Sequence, residues 1–234
     1  MRSCVFCDQR ATSAEHLLPE WILNLLGSSF SADVWFGDGT EPKSWQGRGR
    51  SAQLKVKYLC RGCNNGWMSD LETKVRYLIG PLMHDLSVPL DDVSRQTLAV
   101  WSAKTAMVLE SVGDEEGWFY STAERWQLRE TRAMPAGLSM WLGRCSRSDL
   151  SYCEGRALSG SASPGAPSAG FAVTLAMGRL VVQVLTVRPP IYQARNAYNG
   201  LLQAWPLGSR TTWPPSRSIA EEELEAVGRR FSRG

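Results

Sequence analysis

Four cysteines in two CxxC pairs are the residues of this sequence best suited to bind a metal. Cys4 and Cys7 form the first pair, and Cys60 and Cys63 form the second, with 52 residues between the pairs. Each CxxC turn presents two thiolates to one ion, and four thiolates complete a closed tetrahedral site with no position left for water. We therefore predict a structural Zn²⁺ site. The alternatives are a redox-active CxxC pair or four unrelated buried thiols.

The other cysteines and the two histidines divide into core residues and one candidate for catalysis. Cys145 and Cys153 lie far from the two pairs, and we predict that they are buried in the core. His84 has no motif around it and is predicted to be structural. His16 follows the acidic Glu15, and a histidine that titrates near neutral pH can accept a proton from water. The alternatives are a packing role for His16 and a solvated surface position for Glu15.

Taken together, these motifs resemble the HNH endonuclease family in its zinc-finger form. The matching residues are Cys4, Cys7, Glu15, His16, Pro19, Cys60, Cys63 and Asn64. The Cys-Asn-Asn-Gly-Trp-Met run after the second pair is similar to one subgroup of that family. The resemblance covers roughly residues 3–75 and implies a ββα-metal fold built as a treble clef. In that fold the first CxxC turn leads into a hairpin and the second opens a helix.

The resemblance also implies roles for individual residues. His16 would be the general base that deprotonates a water, Glu15 a ligand of a catalytic Mg²⁺ or Mn²⁺ ion, and Asn64 the helix residue that faces this ion. Carboxylate and amide oxygens suit these ions better than Zn²⁺. Asn64 stands where the family pattern has His or Asn, and the middle Asn of the pattern is missing before the second pair. The ion would then need another ligand, for which Glu72 is the best candidate and Asn65 is another.

The candidates on the helix side also have simpler interpretations. Ser69 and Glu72 form the Ser-x-x-Glu pattern of a capping box, and Glu72 can equally be a solvated carboxylate. Asn64 and Asn65 can each cap the start of a helix. We predict that Trp21 and Trp67 are core anchors over the small zinc site rather than platforms on which bases stack.

Hydrophobic periodicity and turn residues predict the elements that must position these groups. In the first part of the chain they indicate a helix at 20–26, a strand at 34–36, a mobile loop at 37–52, a half-buried strand at 53–59 and a helix at 67–79 that ends at Gly80-Pro81. In the second part they indicate helices at 94–112 and 122–132, strands at 139–144 and 151–158, a hairpin of 171–177 with 180–188, a strand at 201–205 and a closing helix at 219–231.

These elements predict an α+β protein with two parts. Residues 1–84 would form an HNH-like treble-clef zinc-binding domain, and residues 90–234 would form a mixed region of helices and antiparallel sheet. The chain has 234 residues, of which 43% are hydrophobic and 21% charged, and this composition is typical of globular proteins. The apolar runs are too short to span a membrane, and the start of the chain leaves no room for a signal segment before Cys4, so we expect a cytoplasmic protein.

The charge of the chain indicates a local rather than a general affinity for nucleic acid. The net charge is only +3, which excludes a strongly basic coat. Five basic residues cluster before and within the second CxxC pair, and we predict that they contact DNA backbone phosphates: Arg48, Arg50, Lys55, Lys57 and Arg61.

Two functions fit the sequence. The first is a metal-dependent endonuclease of the HNH type that hydrolyses phosphodiester bonds of DNA, with His16 activating the water. The second is a zinc-finger module without catalysis that binds nucleic acid or a protein partner.

Overall fold

The chain begins with short strands and continues with longer helices and strands. The computed structural model describes residues 2–28, 30–37, 43–48, 55–113, 118–159, 168–188, 194–196, 198–208, 212–227 and 231–233. The strands are β1 (Ser3–Cys4), β2 (Cys7–Arg10), β3 (Ser13–His16), β4 (Ser31–Gly37), β5 (Lys43–Arg48), β6 (Lys55–Leu59), β7 (Leu138–Cys145), β8 (Leu150–Ser159), β9 (Ser168–Met177), β10 (Leu180–Val187), β11 (Ala194–Asn196), β12 (Leu201–Trp205), β13 (Ser218–Ile219) and β14 (Phe231–Arg233). The helices are α1 (Glu20–Leu26), α2 (Arg61–Cys63), α3 (Ser69–Met83), α4 (Asp92–Glu110), α5 (Thr122–Thr131) and α6 (Leu224–Val227).

A small hairpin carries the first CxxC pair, and a separate pair of antiparallel strands leads to the second. Strands β1 and β2 pair around Cys4 and Cys7, while β3 pairs antiparallel with β6. Strand β6 shows the predicted half-buried pattern, with Val56 buried between the exposed Lys55 and Lys57. Strand β6 runs into Cys60. Helix α2, a wide turn at Asn64–Met68 and α3 then follow directly, with a kink at Gly66, whose backbone angles are not helical. The second CxxC pair therefore opens a long helical segment.

The main sheet has eight strands and is mostly antiparallel. Its order is β12, β7, β10, β9, β8, β4 and β5, with β13 paired to β7. The pairing of β4 with β8 is parallel. Strands β7 and β10 are buried along almost their whole length, which explains their near-continuous apolar sequence. The molecule is thus a mixed helix and sheet protein, and the α+β prediction is confirmed.

Helix α4 lies at the centre of the fold. It contacts α3 and α5 and the strands β6, β8, β10 and β12. Its residues from Leu98 to Glu110 are all buried, so the helix has no solvent-facing side over that length. Two of these buried residues are charged, and each has a charged partner: Lys104 pairs with Glu72 of α3, and Glu110 pairs with Arg125 of α5. Pairing offsets the cost of burying each charge and fixes the two neighbouring helices on α4.

Several boundaries differ from those that the sequence predicts. Residues 43–48 form strand β5 on the edge of the main sheet, so the prediction of a mobile loop is wrong for this stretch. Helix α3 passes Gly80 and includes Pro81, because the buried Leu82 and Met83 hold its last turn in the core. The prediction of a closing helix at 219–231 is also wrong, since among the described residues of this stretch only Glu221–Val227 is helical, and Phe231–Arg233 is a strand paired with β11.

The two predicted domains share one sheet. Strands β4 and β5 belong to the 1–84 part by sequence, yet they extend the sheet that the 90–234 part builds. The division at about residue 85 stays a prediction. None of the described helices is long and apolar enough to cross a membrane.

Candidate metal centre and its surroundings

The four cysteines of the two CxxC pairs meet at one point. Their sulfur atoms all lie within 4.8 Å of one another, and every one of the four side chains is buried. The Sγ atom of Cys7 is 3.6 Å from the Sγ atoms of Cys60 and Cys63. Sulfurs bound to one tetrahedral Zn²⁺ at about 2.3 Å would be separated by roughly 3.8 Å. These four cysteines could therefore hold a metal ion such as Zn²⁺.

The distances also exclude disulfides within the cluster. A disulfide needs two sulfurs at about 2.05 Å, and all four cysteines are free thiols. The hydrogen bond from Cys63 lowers the pKa of Cys4 to about 5, while the same contact raises the pKa of Cys63. The backbone N–H of Cys63 donates to the Sγ atom of Cys60, so the Cys60 side chain caps the start of α2. Burial also raises the pKa of Cys7, so Cys4 is the sulfur that is held as a thiolate, and a bound cation would favour the thiolate form of the others.

Aromatic side chains cover the cysteine cluster. Phe6, between Cys4 and Cys7, packs edge-on against Trp67 with ring centroids 5.0 Å apart. Trp67 belongs to the main core, and Trp21 packs against the same core from α1. The prediction that both tryptophans are core anchors is confirmed. Cys145 and Cys153 are also buried, as predicted, and neither belongs to the cysteine cluster.

His16 lies at the end of β3, opposite Lys55 of β6. Its side chain is partly exposed. Burial and, secondly, the positive charge of Lys55 lower the pKa of His16, and Glu20 partly offsets this. The imidazole is therefore neutral at physiological pH and able to accept a proton. Glu15 occupies the preceding position of β3, and its side chain lies outside the described part of the chain.

Asn64 is in direct contact with the strand that carries His16. Its Nδ2 atom donates a hydrogen bond of 2.8 Å to the hydroxyl oxygen of Ser13, the first residue of β3. This bond ties the start of the helical segment to β3. The hydrogen bond involves the amide nitrogen of Asn64, whereas a hard cation would bind the amide oxygen. Asn65 is exposed beside it.

Glu72, the candidate for a further ligand of the catalytic ion, pairs with a buried lysine. Its carboxylate accepts a hydrogen bond of 3.0 Å from Lys104, whose side chain is only 2% exposed. The capping-box interpretation is wrong, because Ser69 lies inside a continuing helix and its side chain makes no cap. The role of Glu72 as a ligand of a catalytic ion stays a prediction. In the described part of the chain, the four cysteines are the only group of three or more His, Cys, Asp or Glu side chains close enough to hold a metal.

The predicted basic cluster is divided between two places. Lys55, Lys57 and Arg61 are exposed along β6 and at the start of α2. Arg48 ends β5 on the edge of the main sheet, and its side chain is not among those described. Arg50 lies outside the described residues.

The partners of Asn64 and Glu72 could not be identified from the sequence. Ser13 is 51 residues from Asn64, and Lys104 is 32 residues from Glu72. No spacing rule links such distant positions in a single sequence. Lys104 is the only charged residue between Arg95 and Glu110 of α4, and a charge within this mostly apolar stretch is the one sequence signal that it needs a partner.

Comparisons of the chain with protein-family models, with curated proteins and with solved structures found no match.

Metal analysis of the purified protein should return about one Zn²⁺ per chain. Replacement of Cys60 by Ser should remove or strongly weaken this metal, because three thiolates no longer close the tetrahedral site. Cys145→Ser is the matched control, since this buried cysteine lies outside the cluster. Equal zinc content in both variants would contradict the assignment.

Glu72→Gln should lower the free energy of unfolding by roughly 3 kcal/mol, because it leaves the buried Lys104 without its charge partner. Urea unfolding at neutral pH measures the change. Glu130→Gln breaks an exposed ion pair with Arg129 and should cost less than about 1 kcal/mol. Zinc content should stay the same in both variants. An unchanged unfolding midpoint for Glu72→Gln would show that the ion pair adds no stability.

Proposed function

We propose that this chain is a metal-dependent endonuclease of the HNH class that hydrolyses phosphodiester bonds of DNA. The hydrogen bond between Asn64 and Ser13 carries this proposal, because it joins the start of the helical segment to the strand of Glu15 and His16. In this class the general base on a strand and the residue after the second CxxC pair act on one phosphate. The contact supports such a shared site.

The order of the N-terminal elements supports a treble-clef form for the zinc unit. The β1–β2 hairpin carries the first CxxC pair, the antiparallel β3–β6 pair follows, and the helical segment opens with the second CxxC pair. A Zn²⁺ ion held by the four cysteines would join the two ends of this unit. The ion would be structural, because four sulfurs leave no position for water or substrate.

His16 is the proposed general base. Its lowered pKa keeps the imidazole neutral, so a ring nitrogen can accept the proton of a water molecule. The water oxygen then attacks phosphorus, and one phosphate ester bond breaks. The partial exposure of His16 lets the water and the DNA backbone reach the ring. Lys55, opposite His16 in the β3–β6 pair, adds positive charge for the phosphate.

Glu15 and the amide oxygen of Asn64 would hold a Mg²⁺ or Mn²⁺ ion in this proposal. When bound, the ion would stabilise negative charge that develops on the phosphate. Both donors are hard oxygens, which suits these ions. Glu72 could contribute only if its carboxylate served both the ion and Lys104. Glu15 and Asn64 are therefore the principal ligands that we propose.

Purified protein with Mg²⁺ or Mn²⁺ should nick plasmid DNA, and His16→Ala should lower the rate by about 100-fold or more, because the general base is lost. His84→Ala is the matched control, since His84 is the second histidine and lies exposed at the end of α3. The wild-type rate should fall only below about pH 6.5, the ordinary histidine value, because the pKa of His16 is lowered. Cleavage that survives His16→Ala unchanged would overturn the proposed role.

A zinc module without catalysis is the second candidate. The ion pair of Glu72 with Lys104 favours it, because this pair already engages the third oxygen ligand that a catalytic ion would need. Outside the four cysteines, the described residues hold no ready-made metal cluster. In this case the exposed Lys55, Lys57 and Arg61 would bind nucleic acid without cutting it.

Binding of a fluorescent DNA duplex, followed by anisotropy over a range of salt concentrations, tests the basic surface. Each substitution among Lys55→Gln, Lys57→Gln and Arg61→Gln should weaken binding for all sequences and lower the salt slope by about 1. Arg129→Gln, an arginine of α5, serves as the charge-matched control. Binding without cleavage would favour the second candidate, and variants that bind like the wild type would exclude this surface.

A further inference from the structure

A cavity of about 250 Å³ opens between α3, α4 and the end of α5. Trp67 and Lys74 line it from the helical segment that follows the second CxxC pair, and Val100 lines it from α4. Arg132, the residue that ends α5, closes the remaining side. None of the lining residues belongs to the predicted catalytic, zinc or DNA-contacting sets. The cavity is thus a second candidate site.

Trp67 brings a hydrogen-bond donor to the cavity wall, and its indole N–H is one of five among the described residues that have no partner. Trp67 is only 9% exposed, and its indole N–H has no hydrogen-bond partner. A buried donor without an acceptor costs free energy, so such groups in proteins usually have a partner. The guanidinium of Arg132 lies over the Trp67 ring, 4.7 Å from its centroid. A ligand in the cavity would supply the missing acceptor beside a fixed cation.

The charges of the cavity select a ligand with net negative charge. Lys74 and Arg132 bring two positive charges, and Asp70 brings one negative charge. Neither cation has an ion-pair partner within 4.0 Å among the described residues, although Asp70 and Glu130 act on Arg132 at longer range. A partly buried guanidinium without a close carboxylate gains strongly from a phosphate or carboxylate group. Asp70 is exposed at the cavity rim, where its carboxylate could accept an N–H of the same ligand.

The remaining walls suit a flat, partly apolar group. Leu71 and Val100 contribute apolar surface, and Gln96 adds an amide that both donates and accepts. Val93 stands at the edge with 72% of its surface exposed, which is unusual for an apolar residue beside charged groups. Small-molecule sites combine these features: apolar walls with a few polar groups that fix orientation.

We propose that this cavity binds one mononucleotide unit. Its phosphate would lie on Lys74 and Arg132, its base against Leu71 and Val100, and the base edge would reach Asp70 and the Trp67 N–H. A zwitterionic amino acid offers similar groups but carries no net charge, whereas the cavity has a net positive charge. The binding needs no catalysis, so it can hold even where the proposed nuclease activity fails.

Calorimetric titration of the zinc-loaded full chain with deoxyadenosine monophosphate, without Mg²⁺ or Mn²⁺, tests the proposal. Binding should be measurable at millimolar nucleotide, and both Lys74→Gln and Arg132→Gln should weaken it about tenfold or more, as expected for a lost charge-assisted hydrogen bond. Arg129→Gln, on the same helix as the Arg132 cap, should bind like the wild type. Lys74 is exposed, so its variant reports on binding even where Arg132→Gln unfolds.

A second readout follows the Trp67 indole N–H by NMR, with Trp67→Phe to assign the signal. Its proton should shift when the nucleotide binds, because the N–H gains an acceptor. Deoxyadenosine, which lacks the phosphate, should bind about tenfold more weakly or not at all. No binding, binding unaffected by both variants, or binding of leucine in preference to the nucleotide would each overturn the proposal.

Two sources of the mononucleotide unit can be separated in the same experiment. A short DNA strand with a 5′-phosphate should compete with the free nucleotide if the cavity receives a strand end. Competition by the phosphorylated strand but not by its unphosphorylated form supports a strand end. Binding of the free nucleotide alone supports a free effector.

Discussion

The convergence of four buried cysteines is the constraint on which the N-terminal part of the molecule depends. Cys4 and Cys7 lie more than fifty residues from Cys60 and Cys63, yet the four buried sulfurs lie within 4.8 Å of one another and could hold a metal ion such as Zn²⁺. Their meeting ties the β1–β2 hairpin to the end of β6 and to the first turn of the helical segment. Strand β3 must then pair with β6, which sets His16 beside Lys55. The geometry around the histidine is thus a consequence of the cysteine cluster.

The cysteine cluster does not position the N-terminal part alone, because α4 and the main sheet also pack against it. From Leu98 to Glu110, helix α4 is buried on all sides between the main sheet, β6 and α3. A helix so completely enclosed can carry a lysine only if a carboxylate reaches it, and Glu72 supplies that carboxylate. The ion pair therefore helps to orient α3, and with it the residues from Ser69 to Lys74. Strands β4 and β5 reinforce this coupling, since they leave the N-terminal part to join the main sheet.

Two sides of one helical segment therefore face different surroundings. At its start Asn64 contacts the strand of His16, and further along Trp67, Asp70 and Lys74 line the cavity against α4. Trp67 also packs on Phe6 within the first CxxC turn, so the cavity and the cysteine cluster share one wall. Loss of the metal would then disturb both places through the same aromatic contact. This shared wall gives the segment a physical means to couple the two sites.

The sequence by itself determined the elements whose cause is local. The two CxxC pairs, the short helix after Pro19, the alternation of β6 and the apolar hairpin of β9 and β10 all follow from neighbouring residues, and the structure has them. Only the tertiary structure decided the partners of Asn64 and Glu72, the strand at 43–48, the continuation of α3 through Pro81 and the shortened closing helix. The reason is physical: these features depend on contacts between residues far apart in the chain. Burial against such neighbours outweighs the local signals of glycine, proline and helical period.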